Sequence, residues 1–131
     1  MRIPKTTERW FPVENDEDGA EIQIRHLEDA EIADIAQAVM SRETRYEPDG
    51  EGGMRPVIKQ SGIYEQTKAI FCAALVDWKK FFSDDGKPMK CTDENKIWAM
   101  RKITGLVEMV DASRARLAED LRKERENREK N

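Results

Sequence analysis

Residues 77–100, DWKKFFSDDGKPMKCTDENKIWAM, decide how the chain is expected to fold. They hold Trp78 and Trp98, two of the three tryptophans, and Phe81 and Phe82, two of the four phenylalanines. In order they read as a helix end, a tight turn and a helix start. Asp84-Asp85-Gly86 supplies the turn, because an Asp side chain bonds the backbone that follows it and Gly accepts positive φ without a Cβ clash. Pro88 then keeps Lys87 out of the helical region. Thr92 begins a helix: a hydroxyl cap, then Asp93 and Glu94 over the positive end of the dipole, then apolar Ile97 and Trp98. Trp78 and Trp98 flank the turn and are expected to pack together, pinning two helices.

Upstream of the turn, Ile63, Thr67, Ile70, Phe71, Ala74, Leu75 and Trp78 recur at helical spacing and predict a central core helix from Ile63 to about Phe81. Of Phe81 and Phe82, one is expected to be buried and the other exposed as an anchor for a partner. Downstream, the helix from Thr92 is predicted to continue to about Arg128. Ile103, Val107, Val110, Arg114, Leu117 and Leu121 step by heptad spacing, although Gly105 weakens the helix by about 1 kcal/mol relative to Ala. Beyond Leu121 nothing apolar remains, so 122–131 is a charged tail supported at most by i,i+4 ion pairs.

Towards the N-terminus, residues 1–7 carry no pattern and read as a loose arm. Arg9–Val13 and Ala20–Leu27 are short runs, the second alternating Ile22, Ile24 and His26 with Glu21, Gln23 and Arg25. Joined by the turn Glu14–Gly19, they predict a β-hairpin. Glu28–Arg42 is an amphipathic helix with Ile32, Ile35, Ala36 and Val39 on one face and acids in its first turn. Tyr46–Pro56, with three glycines and two prolines, reads as a surface loop, and Val57-Ile58 as a brief strand. The alternating acids Glu47, Asp49 and Glu51 do not complete a calcium loop. The expected fold is therefore mainly α (α+β): about three helices, an N-terminal β-hairpin and a charged C-terminal helical tail. Residues 1–121 form one globular domain, with a hairpin region at 1–27, helices over 28–82 around a loop at 46–60, and a C-terminal helix at 92–121.

Composition narrows the function. Of 131 residues, 38% are hydrophobic and 38% charged, which predicts a small core and a large solvated or partner-facing surface. The longest apolar run, Ala69–Val76, is too short to span a bilayer. The first ten residues lack the apolar segment of a signal peptide, so a cytoplasmic location is expected. Net charge is −4, but Glu14–Asp34 holds nine acids and one base, a local −8. That block repels nucleic acid, and the mixed C-terminal charges make no basic stripe. Cys72 and Cys91 lack metal-ligand spacing and read as free thiols. His26 is the only histidine, with no nucleophile or second ligand at a supporting spacing, and reads as structural. No phosphate loop or nucleophile elbow is present. No catalytic residue, metal or cofactor is expected.

The same stretch resembles the tail assembly chaperones of long-tailed bacteriophages and prophages. These share a Trp, a short Asp-Asp-Gly turn, a Thr-x-Glu-Asn helix start and a charged C-terminal helix running out in Lys-Asn. The matching residues here are Trp78, Asp84, Asp85, Gly86, Thr92, Glu94, Asn95, Lys130 and Asn131. The segment Ile22–Leu27, with an acidic helix behind it, fits the family's N-terminal half. The resemblance implies a non-enzymatic protein of the host cytoplasm that coats the tape measure protein, keeps it soluble, helps recruit tail tube subunits and leaves before the virion is complete. It also implies that a ribosomal frameshift near the end of the chain can append a second domain. Trp78, Phe81 and Phe82 are the expected partner contacts, held in place by Asp84, Asp85 and Gly86. A second copy of the chain is a further candidate partner, through the C-terminal heptads. Two alternatives stand beside this: a permanent structural or adaptor protein of the tail, and a small acidic cytoplasmic regulator that binds a basic protein.

Overall fold

The computed structural model describes residues 7–130, so most of the expected N-terminal arm and the closing Asn131 lie outside it. The order of elements is β1 (Glu8–Pro12), β2 (Glu21–Arg25), α1 (Asp29–Val39), β3 (Ser41–Pro48), β4 (Met54–Ser61), α2 (Ile63–Ala74), β5 (Leu75–Lys79), α3 (Asp93–Lys102) and α4 (Leu106–Lys130). The fold is α+β with four helices and two small antiparallel sheets, where the sequence predicts three helices and one hairpin. The chain divides into two compact units. One joins the residues up to Glu28 with those from Phe71 onward, and the other is Asp29–Ile70.

In the first unit the expected N-terminal hairpin forms. β1 pairs with β2 so that Phe11 faces Ile22 and Arg9 faces Ile24. Its turn closes through Val13 N–H to Ala20 O (2.9 Å) and Ala20 N–H to the Asp16 carboxylate (2.8 Å). A hairpin alone is marginal in water, and β2 gains a second neighbour in β5, giving the order β1-β2-β5. β5 overturns the expected helix over 75–81. Ile22 pairs with Trp78 and Ile24 with Leu75, with a bulge between Gln23 and Ile24. The bulge adds one residue to β5, so Leu75 and Trp78, three apart, both turn inward. Helix α4 packs on β2, with Leu106, Val110 and Leu117 forming its buried stripe and Ile22 and Ile24 buried on β2. Full burial of each such side chain stabilises the fold by about 1.5–3 kcal/mol. Of the heptad row, Val110 and Leu117 belong to the core of this unit, and Ile103, Val107, Arg114 and Leu121 are half-buried.

The helix expected to run unbroken from Thr92 is two helices. Thr92 caps α3 as predicted, its hydroxyl accepting from Asn95 N–H at 3.2 Å. The helix stops at Ile103, whose φ and ψ are −97° and 107°. Gly105 then sits at φ +84°, a left-handed conformation that a side chain would oppose. Past this elbow α4 continues to Lys130, so the charged tail is helical, with Arg122 bridging Glu119 (2.6 Å) and Glu126.

Among the described residues of this unit, one charged side chain is buried. Lys96 on α3 is 7% exposed and donates to the Cys72 carbonyl at 3.1 Å, with Asp93 at 3.5 Å. Cys72 lies in the last turn of α2, where carbonyls have lost their helical partners. Lys96 therefore caps α2 from a neighbouring helix. Lys96→Met keeps the stem but removes this donor, and is expected to cost about 1–3 kcal/mol in denaturant unfolding. A change within experimental error would show that the carbonyl does not depend on Lys96.

In the second unit, α1 carries Ile32, Ile35, Ala36 and Val39 half-buried on the predicted face. The expected loop at 46–60 is instead the larger part of a hairpin. β3 and β4 pair over eight positions, from Ser41 opposite Ser61 to Pro48 opposite Met54. Asp49 organises its turn: the carboxylate accepts from Glu51 N–H (2.8 Å) and Gly53 N–H (3.0 Å). The prolines and glycines that suggest a loop serve the end and edge of this ribbon. Ile63, expected on the buried face of the central helix, is 75% exposed.

Candidate functional site: an apolar groove beside Phe82

Between β5 and α3 the chain makes a third, small hairpin that holds the predicted turn. Phe82 and Pro88 pair as an isolated bridge, Met89 N–H donates to Phe81 O (2.9 Å), and Ser83 N–H donates to Lys87 O (2.9 Å). Gly86, at φ +79°, closes the tip with its N–H on Ser83 O at 2.8 Å. Asp85 accepts from Ser83 Oγ and from Lys87 N–H (3.3 Å). Hydrogen bonding by the Ser83 hydroxyl, and next by Lys87 N–H, holds the Asp85 carboxyl below its ordinary value. A depressed carboxyl favours the fold above the ordinary carboxylate range, and that contribution disappears as pH falls through its own lowered value.

The two phenylalanines divide their roles. Phe81 is 9% exposed and lies flat on Trp78, the ring centroids 4.4 Å apart and the planes 3° from parallel. Trp78 is itself buried, its indole N–H on Met89 O at 2.8 Å. Phe81 takes the stacking position expected for Trp98. Phe82 is 43% exposed and Trp98 38% exposed. Both line a groove of about 210 Å³, together with Phe81, Met89, Ile103, Leu106 and Met109. The groove lies between the 81–89 hairpin, the α3–α4 elbow and the N-terminal turn, which contributes Val13, Asp16, Asp18 and Ala20. A second hollow of about 440 Å³ shares Met89 and Trp98 and is lined by Ser83, Asp84, Asp85, Glu94 and Asn95.

The surface therefore has an apolar floor rich in methionine and aromatic rings, with five carboxylates about it: Asp16, Asp18, Asp84, Asp85 and Glu94. Among the described residues Lys80 is the one base lining either hollow, and Arg101 and Lys102 line a further hollow with Trp98. Flexible methionines adapt to varied apolar shapes, and large rings beside them are the usual anchors of an interface. Of the sequence-predicted residues, Phe81 and Phe82 line the groove, Asp84 and Asp85 line the adjoining hollow, and Gly86 shapes the turn. Trp78 supports Phe81 from behind rather than reaching the surface. Trp98, which the sequence reading places against Trp78 instead, lines the groove with Met89 and Met109, two residues that the sequence reading does not single out. In α3 the burial of Lys96 and Ala99 turns Trp98 outward.

The other reactive side chains are accounted for structurally. His26 is half-buried at the end of β2, its backbone N–H on Thr7 O (2.8 Å) and its ring 3.6 Å from Glu28. Burial pushes the Cys91 thiol up to about 11, which keeps it protonated and a poor nucleophile at neutral pH. Among the described residues, no group of His, Cys, Asp and Glu could hold a metal ion, and no helix is long and apolar enough to cross a membrane. Comparison with protein-family models, curated proteins and solved structures finds no match to this chain.

Proposed function

We propose that this protein is a non-enzymatic binding protein, and that the groove beside Phe82 and Trp98 receives an apolar helical segment of another protein. The supporting observation is the pair of exposed rings over a methionine-containing floor, Phe82 on a hairpin cross-tied by its own backbone bonds and Trp98 on α3. An amphipathic helix lays its apolar face into such a groove. The surrounding carboxylates favour a helix whose polar face is basic, and keep the complex soluble.

The specific role we infer is that of a tail assembly chaperone of a long-tailed phage. It would act in the host cytoplasm, hold the tape measure protein in solution, help recruit tail tube subunits and depart before the virion is complete. Its likeness in sequence rests on Trp78, the Asp84-Asp85-Gly86 turn and the Thr92-Asp93-Glu94-Asn95 helix start. The test is co-expression with the neighbouring tape measure gene, followed by a pull-down and a solubility assay. The chaperone role predicts a soluble tape measure protein that travels with this chain, and purified particles that lack the chain. Failure to associate, with the chain present in particles, would instead make it a permanent tail component.

A further inference from the structure

The unit Asp29–Ile70 has no core of its own: none of its described side chains is buried. Six of the eight large apolar side chains exposed among the described residues belong to it, Tyr46 (68%), Met54 (61%) and Ile58 (54%) on the hairpin among them. The β3–β4 ladder puts Thr44, Tyr46 and Pro48 on one face with Ile58, Pro56 and Met54. A two-stranded ribbon with an exposed apolar face is marginal by itself and gains from further strands.

The backbone shows which edge is open. Asp49 N–H donates to Gly53 O at 3.0 Å, and the ladder continues from there without a register shift. Hydrogen-bonded pairs alternate in an antiparallel ladder, so the pairs Tyr46/Pro56 and Thr44/Ile58 turn their backbone groups outward. On β4 that outward position falls at Pro56, which has no N–H to offer and blunts the edge. On β3 the N–H groups of Thr44 and Tyr46 point outward, and among the described residues no strand pairs with them.

We propose that β3 pairs antiparallel with β3 of a second copy, about a two-fold axis at Tyr46, joining two hairpins into a four-stranded sheet. The sequence of β3 is self-complementary about that point. Arg45 and Glu47 flank Tyr46 on the charged face, so the axis sets each Arg45 opposite the other copy's Glu47, giving two such pairs by symmetry. An axis at Arg45 would instead oppose two arginines. The two apolar faces become continuous, with Tyr46 opposite Tyr46. Nothing in this depends on the groove of the other unit or on what it binds.

Sedimentation velocity of the full chain over a range of concentrations tests the proposal. Wild type is expected to be a reversible dimer. Arg45→Glu and Glu47→Arg each turn both cross-copy pairs into like charges and should weaken the dimer about tenfold. The double exchange restores opposite charges and should recover affinity close to wild type. Thr44→Pro removes an outward donor without touching a β3–β4 bond, and should give a monomer with an unchanged circular dichroism spectrum. A monomeric wild type, a dimer indifferent to Arg45→Glu, a double exchange that fails to rescue, or a dimeric Thr44→Pro each overturns it.

Discussion

Phe82→Asp should abolish capture of an apolar helix by the groove while leaving the protein folded. Phe82 is 43% exposed, so its removal costs the core little. Its loop is held by the Ser83–Lys87 and Phe81–Met89 backbone bonds, which the substitution leaves alone. In the complex, however, the ring is covered, and a carboxylate in its place must either lose its water or hold the partner away. Truncating a central aromatic anchor typically costs 2 kcal/mol or more, so binding should weaken by about 30-fold at least. Calorimetric titration with an amphipathic helix of the kind proposed for the groove reads this directly, and a melt of the free variant separates it from misfolding. Equal binding by Phe82→Asp would place the contact elsewhere.

Leu75→Ala should destabilise the fold by about 2–5 kcal/mol, lowering the melting temperature by roughly 10 °C or more. Leu75 is fully buried on β5, opposite Ile24 of the central strand β2. Ile63→Ala, at a position 75% exposed, should change stability by no more than about 0.5 kcal/mol. The pair is diagnostic because one helix from Ile63 to Phe81 would place both residues on the same buried face. Similar costs at the two positions would favour that helix over the bulged strand.

The helical look of residues 75–81 has a physical origin. Phe71, Ala74, Leu75 and Trp78 have the spacing of a helix face, and the first two do close α2 as buried residues. The bulge in β5 inserts a residue between two inward-facing positions and so turns a period of two into a step of three. Nothing local to residues 75–79 distinguishes the cases, since the pairing partner β2 lies some fifty residues earlier. The β3–β4 hairpin is hidden differently. Its prolines and glycines signal a break, but they occupy an edge, a strand end and a five-residue turn. The N-terminal hairpin, the Asp84–Gly86 turn and the Thr92 cap are legible in the sequence because they depend on neighbouring residues alone. Of the groove, one half is legible at Phe81 and Phe82. The other half is not, because Trp98, Ile103 and Met109 converge only when α3 and α4 bend at Gly105.

The groove's role as a helix receptor is tested most directly by intrinsic tryptophan fluorescence. The full chain is titrated with a synthetic amphipathic helix bearing lysines on its polar face, and with a second peptide that has the same apolar face but glutamates in their place. Trp98 lies on the groove at 38% exposure while Trp78 is buried, so its emission should shift to the blue on binding. A helix receptor ringed by carboxylates should give a saturable shift with the basic peptide, weakened by salt and by Phe82→Asp, lost in Trp98→Phe, and much smaller with the acidic peptide. Equal binding of the two peptides would remove the role given to the carboxylates and leave the apolar groove standing. The absence of any saturable shift, or a shift unaltered by Phe82→Asp, would contradict the groove itself.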